Sequence, residues 1–180
     1  ELDFTNSPEL TTMTMAVFNN ANIPQIDLSK NLKLSDFSTT QWPTGTFSGY
    51  AGKVILPPNL KTIPELAFAA FKGEVIIPDS IEKIGVAAFY NAAPTMIKLS
   101  KNLITIERSA FERATITELD FSNSLELTSI GTSAFNSANI PQVDFSKNLK
   151  LTEFPSTINL AGTFSQYAGK VILPPNLKTI

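Results

Sequence analysis

The stretch VIIPDSIEKIGVAAF, residues 75–89, has two close relatives in the same chain, VILPPNLKTIPELAF at 54–68 and IKLSKNLITIERSAF at 97–111. Each reads apolar-x-apolar, then Pro or Ser, then Asn or Ser, then Leu or Ile, a later Ile, and Ala-Phe. In an extended triplet the first and third side chains share one face and the middle one takes the other. Three residues followed by a turn cannot bury an apolar face alone, so the pattern predicts successive coils stacked on one another.

Less regular units carry the same opening triplet: LDF at 2 and 119, IDL at 26, VDF at 143 and VIL at 171. The units run about 24, 28, 21, 22 and 22 residues, making a block of about 117. Sliding the chain by that offset aligns residues 1–63 with 118–180 without a gap and roughly two-thirds identical, so a large block is duplicated. YAGKVILPPNLKTI recurs letter for letter at 50–63 and 167–180; the first copy runs on into PELAF. We read residues 1–180 as one solenoid excerpted from a longer array.

Parallel triplets spaced by about 4.8 Å predict a sheet of about eight strands, roughly 35 Å long. The expected fold is a repeat solenoid, mainly β with short irregular or helical convex segments: a right-handed, leucine-rich-repeat-like coil with a parallel concave sheet. Ile63, Ile84, Ile106, Ile130 and Ile180, with Phe37 and Phe154, are expected on the opposite wall. Phe18, Phe47, Phe68, Phe89, Phe111, Phe135 and Phe164 recur at one phase of the repeat and read as a buried spine rather than a stacking platform for sugars or bases.

The motif IPxS/NIxxIGxxAF resembles the BspA-type, or Treponema-type, leucine-rich repeats, over nearly the whole chain in eight units, the last cut short. The resemblance implies a non-enzymatic protein-binding or adhesion module at the cell surface or secreted, with a host, matrix or microbial surface protein as partner. Departures are the insertions in LSKNLKLSDFSTTQWPTGTF and FSKNLKLTEFPSTINLAGTF, and the lack of the Cys often found after Ala-Phe.

Composition narrows the chemistry. The 180 residues carry a formal net charge of −2, so no broad basic field attracts nucleic acid. No apolar run approaches the roughly twenty residues of a membrane span. There are no cysteines and no histidines, which removes disulfides, thiolate metal sites and the commonest general base. P-loop, dinucleotide, nucleophile-elbow and HExxH patterns are all missing, and no catalytic residue, metal site or cofactor is assigned.

Three rows of side chains remain. The turn position Ser7, Asn31, Asn59, Ser80, Asn102, Ser124, Asn148 and Asn176 suits a ladder of hydrogen bonds between coils. Trp42, Tyr50, Tyr90 and Tyr167 are the candidate exposed aromatics, Trp42 being dispensable for its coil because the duplicate has Asn159 there. The middle triplet position, with its neighbour two residues earlier, gives the candidate ligand-binding face: Asp3, Asp27, Ile55, Ile76, Lys98, Glu118, Asp120, Gln142 and Asp144.

On adjacent strands Asp3 would face Asp27, and Asp120 would face Asp144, a like-charge juxtaposition that costs stability unless Lys98, a cation, a basic partner or solvent compensates. Ile55 and Ile76 add an apolar spot beside the acids. An open sheet face offers no pocket to raise a carboxyl pKa, which argues against glycoside hydrolysis, and no calcium loop is present. A ligand-free structural spacer and an intracellular protist scaffold stay open as alternatives. Uncapped coil ends predict end-to-end self-association.

Overall fold

The computed structural model describes residues 2–14, 16–37, 44–155 and 162–180, and the candidate aromatic Trp42 lies outside them. The chain is a parallel β-solenoid. One strand per coil builds a first sheet, in which β1 (Leu2–Asp3), β3 (Gln25–Asp27), β5 (Lys53–Ile55), β7 (Glu74–Ile76) and β9 (Met96–Lys98) pair in that order. Further along the chain β12 (Gln142–Asp144) and β13 (Lys170–Ile172) form a separate pair. The opposite wall is made of β2 (Thr12–Met13) with β4 (Asp36–Phe37), and of β6 (Thr62–Ile63), β8 (Lys83–Ile84), β10 (Thr105–Ile106) and β11 (Ser129–Ile130).

Each strand is centred on the first residue of its triplet. Val54, Val75, Ile97 and Val143 are buried there, and the third triplet residues Leu56, Ile77, Leu99 and Phe145 are buried just after the strand. The back wall buries Ile63, Ile84, Ile106 and Ile130 as the repeat requires, with Met13, Phe37 and Phe154. Ile180, the last residue of the sequence, is 77% exposed and stands apart from that buried wall.

Between the walls run the phenylalanines. Phe18, Phe47, Phe68, Phe89, Phe111, Phe135 and Phe164 stack ring on ring, with centroids 5.0–5.6 Å apart and interplanar angles of 4–15°. The coil rise sets that spacing, so every ring meets its neighbours in the same geometry. Among the described residues this convex side holds no helix; the chain runs in consecutive turns. In three successive coils two residues, four apart, take positive φ: Leu66 (57°) and Ala70 (54°), Ala87 (51°) and Asn91 (53°), Ser109 (57°) and Arg113 (57°). A left-handed non-glycine residue costs about 1–2 kcal/mol and breaks a helical hydrogen-bond run.

Hydrogen bonding offsets that strain by alternating direction. Within a coil Ala67, Ala69 and Phe71 N–H groups donate three residues back, to the carbonyls of Pro64, Leu66 and Phe68. Leu66, Phe68 and Ala70 donate instead to Val86, Ala88 and Tyr90 of the next coil, at 3.1, 2.8 and 2.8 Å. The same alternation recurs at Ala87–Asn91 and Ser109–Arg113, so the convex side is bonded coil to coil as the sheets are.

Candidate interaction face

The outward side of the first sheet is built from the first and last residues of its three-residue strands. In register, Asp3 pairs with Asp27, Asp27 with Ile55, Ile55 with Ile76 and Ile76 with Lys98, while Gln25 pairs with Lys53 and Glu74 with Met96. Ile76 is 40% and Met96 56% exposed, against near-complete burial of Val75 between them. Lys53 and Glu74 neutralise each other at 3.2 Å across adjacent strands. Lys98 makes no ion pair among the described residues; it borders the apolar spot and acts electrostatically on Asp79 across a shared groove.

The acidic part of the row departs from expectation. Residues 118–120 form no strand with either neighbour, so the anticipated run of about eight strands is five, an interruption, then two. Asp120 and Asp144 therefore do not sit opposite one another on paired strands; Asp144 pairs in register with Ile172. They instead share a groove of about 250 Å³ lined by Glu118, Asp120, Gln142 and Asp144. On the other side of the interruption Met96, Lys98, Glu118 and Asp120 line a second groove, about 320 Å³ in volume. The same letters, Leu-Asp, form the paired β1 in the first copy, so the segment's own sequence carried no sign of the break.

The aspartates also have local work. Asp27 accepts from the Ser29 backbone N–H at 2.9 Å, Asp144 from that of Ser146 at 2.8 Å, and Asp120 from the Ser122 N–H and hydroxyl at 2.7 and 3.0 Å. An ionised carboxylate held by an N–H donor is the favoured state. The Ser146 backbone N–H, with help from its hydroxyl and from Lys170 and Lys147, accordingly holds Asp144 below the usual carboxylate range. The Asp-x-Ser spacing, present at 27–29, 120–122 and 144–146, was the available signal for these turns.

A model of the BspA type leucine rich repeat region matches residues 40–161 in six copies, more than half of the chain. The chain belongs to the BspA-type leucine-rich repeat family. Comparison with curated proteins and with solved structures found no match. Leucine-rich repeat solenoids are typically non-catalytic scaffolds for protein interaction. Among the described residues of this BspA-type repeat protein no helix is long and apolar enough to cross a membrane, and no group of three or more His, Cys, Asp or Glu is placed to hold a metal ion.

Other rows resolve into structure. Asn31, Asn102 and Asn148 amides donate to carbonyls of the preceding coil at 2.7–3.2 Å, and Ser80 and Ser124 hydroxyls do so at 2.7 and 2.9 Å, giving the anticipated ladder. The aromatics correct the reading of an exposed set. Tyr50 is fully buried and donates to the Ile23 carbonyl at 2.9 Å; its duplicate Tyr167, half-buried, donates to Ile140 at 2.8 Å. Tyr90 is half-exposed beneath the Arg113 guanidinium, 5.9 Å from its ring centre.

Proposed function

We propose that this chain is a non-enzymatic protein-binding module of a cell-surface adhesion protein, and that it binds through the outward face of the first sheet. The observation that carries the reading is the exposed apolar step of Ile76 and Met96, half-buried Ile55 beside it, bordered by Lys98 and by the carboxylates lining the two grooves. Apolar centre with charged rim is the usual make-up of a protein interface. The proposed partner is a host, matrix or microbial surface protein, and the family's association with protein interaction supports that class.

The test is binding of the folded chain to a panel of immobilised matrix and microbial surface proteins. Saturable capture by at least one is expected, weakened at least tenfold in an Ile76→Asp, Met96→Asp double variant. Asp120→Asn and Asp144→Asn belong in the same series, since each keeps the turn-accepting oxygen while removing charge. Capture that survives all four changes removes this face.

A second reading, a spacer solenoid without a ligand, draws on the turn duties of Asp27, Asp120 and Asp144, which explain those residues without a partner. Failure of the whole panel to bind favours it.

A further inference from the structure

The two residues after each column phenylalanine form a row along the convex side. The second of them takes positive φ, 51–68° from Asn20 to Gln166, and from Asn20 to Ser137 its N–H donates to a carbonyl of the next coil at 2.8–3.0 Å, which fixes the backbone of the row. The side chains divide that row in two. Over the later coils they are long and polar and meet one another: the Asn136 amide donates to Glu112 at 3.1 Å, and the Ser137 hydroxyl to Gln166 at 2.9 Å.

Earlier in the row the same positions carry Ser48, Gly49, Ala69 and Ala70, whose side chains are too short to bridge coils. Ser48 turns its hydroxyl back onto the Ala69 carbonyl at 3.1 Å, and a methyl group on Gly49 would stand 2.2 Å from Asn20 Oδ1. The result is a groove of about 430 Å³ with a low floor, bounded by Asn20 at one end and by Tyr90 and Asn91 at the other. Both floor coils have a coil bonded on either side, so the groove belongs to the interior of the stack. At about 4.8 Å per coil its ends lie roughly 15 Å apart, too far for their side chains to meet. Tyr90 packs on Leu66, Ala69 and Ala87, with Arg113 of the following coil 5.9 Å from its ring centre, so the ring is held in place. None of the described residues lining the groove is charged.

We propose that this groove is a second binding site, on the convex side and away from the outward face of the first sheet, and that its ligand is a short neutral oligosaccharide. The half-exposed ring of Tyr90 offers an apolar surface to the C–H face of a pyranose. The exposed carboxamides of Asn20 and Asn91 can each donate and accept at once, which is what adjacent sugar hydroxyls require. The short side chains between them leave the depth that a sugar ring needs. Because the floor is already fixed by its bonds to the next coil, little ordering is lost on binding. An anionic sugar would meet no positive charge in the lining, and so the neutral class is the one that fits.

The probes are maltotriose, cellotriose, chitotriose and lactose, each titrated into the full chain and followed by backbone amide shifts. Saturable binding of at least one is expected, with the shifts centred on Gly49, Ala70 and Asn91. Tyr90→Ala is expected to weaken it at least tenfold, and an unchanged circular dichroism spectrum checks that the variant folds. Ala70→Gln is the independent test, since Gln166 occupies the equivalent position at the same φ of 54° and the coil accepts it there. Its longer side chain is expected to fill the floor and abolish binding. The Ile76→Asp, Met96→Asp variant is expected to bind the sugar as the parent does, which separates this groove from the sheet face. Saturation by none of the four probes overturns the proposal, as does binding that survives Ala70→Gln or is lost with Ile76 and Met96.

Discussion

Gly52 shows how one missing Cβ holds a coil together. A methyl group there would stand 2.2 Å from the Tyr50 hydroxyl oxygen and 2.6 Å from the Ile23 carbonyl oxygen, the two atoms of a buried hydrogen bond. Gly169 stands in the same relation to Tyr167 and Ile140, which is why Tyr-Ala-Gly recurs unchanged. Gly52→Ala is expected to destabilise the fold by about 1–3 kcal/mol, read from a denaturant titration. Tyr50→Phe should cost a comparable amount by leaving the Ile23 carbonyl unpaired, and Tyr167→Phe less, because water reaches its half-buried site.

Two titrations follow at the same scale. Burial raises the Tyr50 and Tyr167 phenols, so their contribution to stability is complete below the ordinary phenol value of about 10 and is lost as pH rises through the folded values. Asp144 is lowered, chiefly by the Ser146 N–H, so its contribution is complete above the ordinary carboxylate value of about 3.9 and is lost as pH falls through the folded value. Unfolding midpoints measured between roughly pH 2 and 5 should decline less steeply in Asp144→Asn than in the parent. An unchanged acid limb would remove Asp144 as a contributor.

At the scale of the element, the phenylalanine column and the turns that carry it form one device. Phe89 and Phe111 are fully buried with a parallel ring on each side, so Phe89→Ala should cost about 3–5 kcal/mol. Phe164, half-buried at the end of the column, should cost less on truncation to Ala, and thermal melts of the pair check the gradient. This column, the back-wall isoleucines and the asparagine ladder were legible in the sequence because each depends on one residue recurring at one phase. The turns were not: positive φ at Leu66, Ala87 and Ser109 falls on residues with no glycine-like preference and is held by bonds to the next coil. The interruption at 118–120 was equally hidden, since it distinguishes two copies of the same letters by what stacks against them. In the candidate face the apolar step is readable by alternation, whereas the turn bonds that Asp27, Asp120 and Asp144 accept from Ser29, Ser122 and Ser146 are carried by the Asp-x-Ser spacing, which alternation does not register.

Across the whole molecule, cohesion is coil to coil and owes little to charge. The ion pairs Lys33–Glu9, Lys83–Glu107, Lys101–Asp79, Lys150–Glu126 and Lys61–Glu82 all link neighbouring coils at largely exposed positions. Such pairs contribute about 0–1 kcal/mol each and weaken further in salt. Raising sodium chloride from about 50 to 500 mM should therefore move the thermal midpoint by only a few degrees, as calorimetry would read. Amide hydrogen exchange should be slowest in β5 and β7, which have a strand on both sides, and faster at residues 118–120, which have neither.

The direction of those inter-coil bonds has a mechanical consequence. They run from each coil to the next, so tension applied between the two chain ends meets them a coil at a time and peels the stack from whichever end is weaker. Each coil released would lengthen the chain by about 70–100 Å, from roughly 21–28 residues at 3.3–3.6 Å each. Pulled in an optical trap, the molecule should give a staircase of small, similar extensions instead of a single rupture. It would behave as a tether that yields by degrees and recoils when the load is removed.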